Sequence, residues 1–210
     1  PAIWPLEQEY RAPDGRRRTR RGFLCRVRVT DYGTGRIRPH ERTHPGPKED
    51  RLQLTRATRT NLSPIFTLYA DPGNTAWGAL TPHVRTSRPI GEATDAEGTT
   101  HRLWRVTDPN ALETVIEAVA GAELLIADGH HRYETARTYA AEVGAAEGPH
   151  RWTLMCLVAL EDPGLAVFPT HRLVCGPLRD AAVREALADA LRRDFIITPL
   201  DHVRALVPEP

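Results

Sequence analysis

Asp128-Gly129-His130-His131-Arg132-Tyr133 sets a carboxylate, two imidazoles, a guanidinium and a phenol side by side. Arginine can fork onto phosphate oxygens. Asp128 can hold a metal ion or accept a proton. The run Leu124 to Ala127 before it has strand length, and from His131 onward Tyr133, Ala136, Arg137 and Ala140 recur at helical spacing. Strand, tight polar loop and helix start make a junction whose unpaired N–H groups and dipole favour an anion, typically a phosphate. On a plainer reading Asp128 caps the helix, Gly129 supplies a positive φ, and the histidines are solvated. Five capable residues packed between an apolar strand and an amphipathic helix tip the balance toward a site.

Two other pairs qualify. His40-Glu41 follows a predicted strand and offers a general base or metal ligand, although adjacent His-Glu pairs are frequent by chance. His171-Arg172 emerges from a strand and either reaches the same pocket or sits at a sheet edge.

The elements that must position these groups follow from periodicity and breakers. Ala2 to Arg11 reads as a strand, the turn Ala12-Pro13-Asp14-Gly15 follows, and Phe23 to Asp31 alternates as a half-buried strand. The pair predicts a hairpin with an arginine-rich connection over 16–21, more simply a solvated hairpin end than a nucleic-acid contact. A polar helix runs from Glu49 to about Thr60, is stopped by Asn61-Leu62-Ser63-Pro64, and precedes a strand Ile65 to Tyr69. Residues 71–107, rich in Pro, Gly and Thr, predict short strands, the best being Thr100 to Val106. Asp108-Pro109 gives an N-cap and first-turn proline for a helix to about Val119, with Leu112, Val115, Ile116 and Val119 as its apolar stripe. The helix after the Asp128 loop ends near Gly144. Arg151 to Leu160 predicts a central strand, 177–194 an amphipathic helix, and Phe195 to Thr198 a last strand. The organisation expected is 1–70 as hairpin and His-Glu segment and 71–210 as core, one continuous domain.

The chain has 210 residues, is 40% hydrophobic and 26% charged, and carries a net charge of +1, an ordinary globular balance that argues against a general nucleic-acid coat. Lys48 is the only lysine, and no Gly-rich phosphate loop with its lysine is present. Cys25, Cys156 and Cys175 are odd in number and set among apolar neighbours, which suits buried free thiols in a reducing, cytoplasmic setting. No membrane span or signal peptide is visible. The chain opens at Pro1 and enters a strand at once, so it is read as part of a longer protein, truncated at both ends.

The strings His40-Glu41-Arg42-Thr43, Asp50-Arg51, Asn61, Pro64-Ile65-Phe66, Asp128 to Arg132 and Pro169-Thr170-His171-Arg172 together resemble the domain of unknown function 1015 family over essentially the whole chain. More remotely, the loop is similar to the phosphate-binding motif of the ParB/sulfiredoxin superfamily. That resemblance implies a mixed α/β fold, a mixed sheet with flanking helices around a nucleotide site, here with an N-terminal hairpin. Sulfiredoxins place a nucleophilic cysteine where His130 stands, and ParB proteins carry a different box with a helix-turn-helix. Neither chemistry is expected here. The archaeal free-serine kinases of the superfamily carry Asp-Gly-His-His-Arg itself. By that resemblance the chain is expected to be a nucleotide-dependent phosphotransferase on a small hydroxyl-bearing metabolite such as serine, using ATP or ADP with Mg²⁺. Asp128, Gly129, His130, His131, Arg132 and Tyr133, with His171 and Arg172, would bind the cofactor, and Asp128 the metal. Glu41 would be the base, with His40 or His171 as its replacement, and His130 and His131 would contact the transferring group. The alternatives are a nucleotide- or phosphometabolite-sensing module without turnover, and hydrolysis at a His/Asp/Glu metal site.

Overall fold

The computed structural model describes residues 1–33, 35–41, 43, 45–168 and 176–201, with 45–48 and 177 as backbone only. It has two compact units, Pro1–Leu165 and Ala166–Pro210. The first unit is a mixed eight-stranded sheet with helices, in chain order β1 (Trp4–Arg11), β2 (Arg17–Arg28), β3 (Ile37–Arg38), α1 (Pro45–Thr58), β4 (Ile65–Tyr69), α2 (Thr75–Thr86), β5 (Gly91–Thr94), β6 (Thr100–Leu103), α3 (Pro109–Ala120), β7 (Leu124–Asp128), α4 (His130–Val143) and β8 (Trp152–Ala159). The order across the sheet is β3-β7-β4-β8-β2-β1-β6-β5. β3 runs parallel to β7 and β4 parallel to β8, and the other neighbours are antiparallel. In the second unit the described residues form a 3-10 turn, Pro177–Arg179, and one α-helix, α5 (Ala181–Leu191), capped by Asp180. None of the described helices is long and apolar enough to cross a membrane.

Strand alternation separates two apolar faces. Phe23, Ile65, Ile126, Met155 and Leu157 face α2, α3 and α4 in the main core, to which Leu80, Val115 and Tyr133 contribute. Leu24, Phe66, Leu68, Cys156 and Val158 form a smaller cluster on the opposite face. Leu24 pairs with Cys156 and Cys25 with Met155, so Cys25 and Cys156 point to opposite faces and both are free thiols. Burial pushes the Cys25 thiol up to about 12 and the Cys156 thiol up to about 11. Cys175 lies outside the described residues.

Four sequence expectations change. The arginine-rich stretch is not a connection, because Arg17 to Arg21 belong to β2 itself. β1 supplies partners across the ladder: Arg21 Nε donates to Glu7 Oε1 at 3.0 Å, and Arg20 donates to Gln8 Oε1. Residues 75–86, in the stretch expected to carry short strands, form α2 despite Pro82 in its interior. There the Asp71 carboxylate accepts from Thr75 N and Ala76 N at 2.9 Å, and Ala76 and Leu80 are fully buried, so capping and packing outweigh the local propensities. Ile116, placed in the apolar stripe of α3, is 60% exposed, while Leu112 and Val115 are buried. Phe195 to Thr198 is not a strand, and Ile196 is 97% exposed.

Candidate functional site at the start of α4

β7 carries Asp128 at its C-terminal end, where a single residue, Gly129, turns the chain into α4. Gly129 has φ 100°, a left-handed value that glycine adopts without a Cβ penalty. A Cβ there would lie 2.9 Å from Arg132 Nε. Gly129, not Asp128, is the N-cap, and it offers no capping side chain. His130, expected in the loop, is therefore the first residue of the helix and is only 1% exposed.

The neighbours of β7 deliver the rest. Because β3 is parallel to β7, with Arg38 level with Leu125, the chain beyond it runs alongside the end of β7. His40 arrives beside Ile126, and its Nδ1 lies 2.7 Å from the Ile126 carbonyl oxygen. The His40 main-chain N–H donates to His130 Nε2 at 3.2 Å, and the two rings meet edge to face at 4.5 Å. Glu41 Oε1 then lies 3.1 Å from His130 Nδ1. On the other side β4 is antiparallel, with Phe66 opposite Asp128, so Ser63 and Pro64 flank the same corner. Arg132 Nη1 donates to Ser63 Oγ at 3.1 Å and to the Pro64 carbonyl, while its Nη2 pairs with Asp128 Oδ2.

These bonds assign tautomers. A carbonyl only accepts, so His40 carries its proton on Nδ1. A main-chain N–H only donates, so His130 Nε2 carries a lone pair and the neutral ring bears its proton on Nδ1, facing Glu41. That N–H is buried and makes no well-aligned hydrogen bond, since the Glu41 oxygen lies close but off its axis. Burial, with His40 beside it, holds the His130 imidazole below its ordinary value against the opposing pull of Glu41 and Asp128. The result is a neutral, buried donor beside a carboxylate whose side chain is 54% exposed.

Ligand atoms of His40, Glu41 and His130 lie within 4.8 Å of one another, a grouping with the composition of a metal site. The tautomers do not fit it: both His130 nitrogens are committed, one to a proton and one to the His40 N–H. Only His40 and Glu41 would remain for a cation. Asp128, the expected metal ligand, is paired with Arg132, whose positive charge opposes a divalent ion there.

Of the residues expected to bind or react, His40, Glu41 and His130 come together, as do Asp128, Gly129 and Arg132. Tyr133 belongs elsewhere. Its N–H bonds the Gly129 carbonyl, its ring is fully buried, and its hydroxyl donates to Thr30 O at 2.8 Å and accepts from Thr30 N at 3.0 Å. It anchors α4 to the end of β2. His131 is in the first turn of α4, its carbonyl accepting from the Thr135 hydroxyl. His171 and Arg172 lie outside the described residues.

Ser63 is the main addition. It reads in sequence only as part of a helix-stopping loop, and its place beside Arg132 depends on strand pairing.

The family model described as "Protein of unknown function (DUF1015)" matches residues 1–208. The chain belongs to the DUF1015 family. No curated protein and no solved structure matches it. Within this DUF1015 chain every described residue of the site lies in the first unit.

Proposed function

We propose that this DUF1015 protein is a kinase-like phosphotransferase that moves a phosphoryl group from ATP or ADP to a small hydroxyl-bearing metabolite such as serine. One observation carries the reading: Glu41 stands 3.1 Å from the buried His130 Nδ1 at the start of α4, where an anion is favoured. The acceptor oxygen attacks the terminal phosphorus and its proton passes to Glu41. The bond from phosphorus to the bridging oxygen breaks, and its electron pair leaves with the shortened nucleotide. His130 orients the Glu41 carboxylate, which acts as base. Poor alignment of that bond is common before substrate arrives. Arg132 exchanges Asp128 for phosphate oxygens, a charge-assisted contact of the same kind. Magnesium carried by the phosphates would neutralise part of their charge.

The test is Glu41→Gln, assayed with ATP or ADP, Mg²⁺ and a panel of hydroxyl acceptors headed by serine. Nucleotide affinity stays near wild type while transfer falls by about 100-fold or more. Transfer at the wild-type rate removes Glu41 as base. Nucleotide binding with no product from any acceptor replaces the enzyme with a sensing module.

A further inference from the structure

A cleft of about 80 Å³ opens on the face of α4 that carries Arg132, between α1 and the loop before β4. Pockets that enclose whole organic ligands run from about 300 Å³ upward, so this one has room for part of a ligand. What its walls offer can be counted. Arg51 lines it and has no ion-pair partner among the described residues. Arg132 lines it too, bonded to Ser63 Oγ, the Pro64 carbonyl and Asp128 Oδ2 with part of its fork, and the serine hydroxyl keeps its own proton to donate. Asn61 Oδ1 accepts from the Thr153 hydroxyl at 3.1 Å, so the amide N–H groups of Asn61 remain as donors.

The wall hydroxyls of Thr55 and Thr135 spend their protons on the carbonyls of Arg51 and His131. Among the described residues no carboxylate and no aromatic ring lines the cleft, and Leu54 and Leu62 supply apolar wall. Two guanidiniums, an amide and a hydroxyl therefore face a small space as donors. Among the described residues no ring lines it to stack a nucleobase, and the nearest carboxylate in the bonding pattern, Asp128, is held by Arg132.

We propose that this cleft is a phosphate subsite that reads the donor by its phosphate oxygens alone, so that inorganic pyrophosphate occupies it as readily as ATP does. The inference rests on the phosphotransferase reading for the class of ligand, and not on the identity of the base or acceptor. Arg51 and Arg132 are its two charged contacts, and Asn61 and Ser63 fix orientation.

The experiment is calorimetric titration of pyrophosphate, ATP and adenosine into the wild-type chain and into Arg51→Gln. Arg51 is exposed and its replacement leaves the thermal melt unchanged. Pyrophosphate binds within about tenfold of ATP and displaces it, adenosine gives no heat, and Arg51→Gln weakens both anions by about tenfold or more. Three results overturn the subsite: pyrophosphate that does not bind or displace ATP, adenosine that competes, or Arg51→Gln that binds like wild type. Failure of the titration leaves the transfer assay readable. Failure of transfer leaves pyrophosphate binding to be measured by itself.

Discussion

His130 is where the chemistry of one residue is most tightly constrained. Burial holds its imidazole below the ordinary value near 6.5, so in the unfolded chain it takes up a proton at a higher pH than in the folded one. Stability linked to this residue is therefore present above that ordinary value and is lost as pH falls from about 6.5 toward the folded value. Thermal melts of the wild type should show a falling midpoint between about pH 7.5 and 5.5. His130→Gln, which cannot titrate, should show a shallower fall. An equal slope in the variant would assign the acid sensitivity to other groups. Glu41 shows how little of this is readable in sequence: it is eighty-nine positions from His130, and an adjacent His-Glu pair is common.

The first turn of α4 is an element whose geometry hangs on one glycine. Gly129→Ala would add a Cβ to a left-handed backbone, a cost of about 1–2 kcal/mol, and would press on Arg132. The expected result is a lower urea midpoint with an unchanged slope, together with weaker pyrophosphate binding as Arg132 is displaced. A variant with wild-type midpoint and affinity would mean that the turn relaxes without cost. The strand-loop-helix unit itself was legible, because an apolar strand-length run, a glycine and helical spacing each point the same way. α2 was not, since Pro82 and the surrounding Gly and Thr argue against a helix locally. Its formation depends on the Asp71 cap and the burial of Ala76 and Leu80.

For the whole molecule, β8 lies inside the sheet, hydrogen-bonded to β4 on one side and β2 on the other, and most of its side chains are buried. Helix α5 has no buried residue, and Val183, Leu187 and Leu191 are each about two-fifths exposed. Amide exchange should therefore be slowest in β4 and β8 and much faster in Ala181–Leu191, because local opening of that helix uncovers little apolar surface. Protection in α5 equal to that in β8 would show that the helix opens only with the whole molecule.

By itself the sequence determined the mixed α/β class, the N-terminal hairpin, the family, and the junction at Asp128 to Arg132. The hairpin and the junction rest on short-range periodicity and turn residues, which act over a few positions, and the class and the family on the resemblance carried by motifs along the chain. Only the tertiary structure decided what faces that junction. Parallel pairing of β3 with β7 brings Glu41 to His130, and antiparallel pairing of β4 with β7 brings Ser63 and Pro64 to Arg132. Strand register is set by burial of whole faces against helices far along the chain, and no local pattern carries that information.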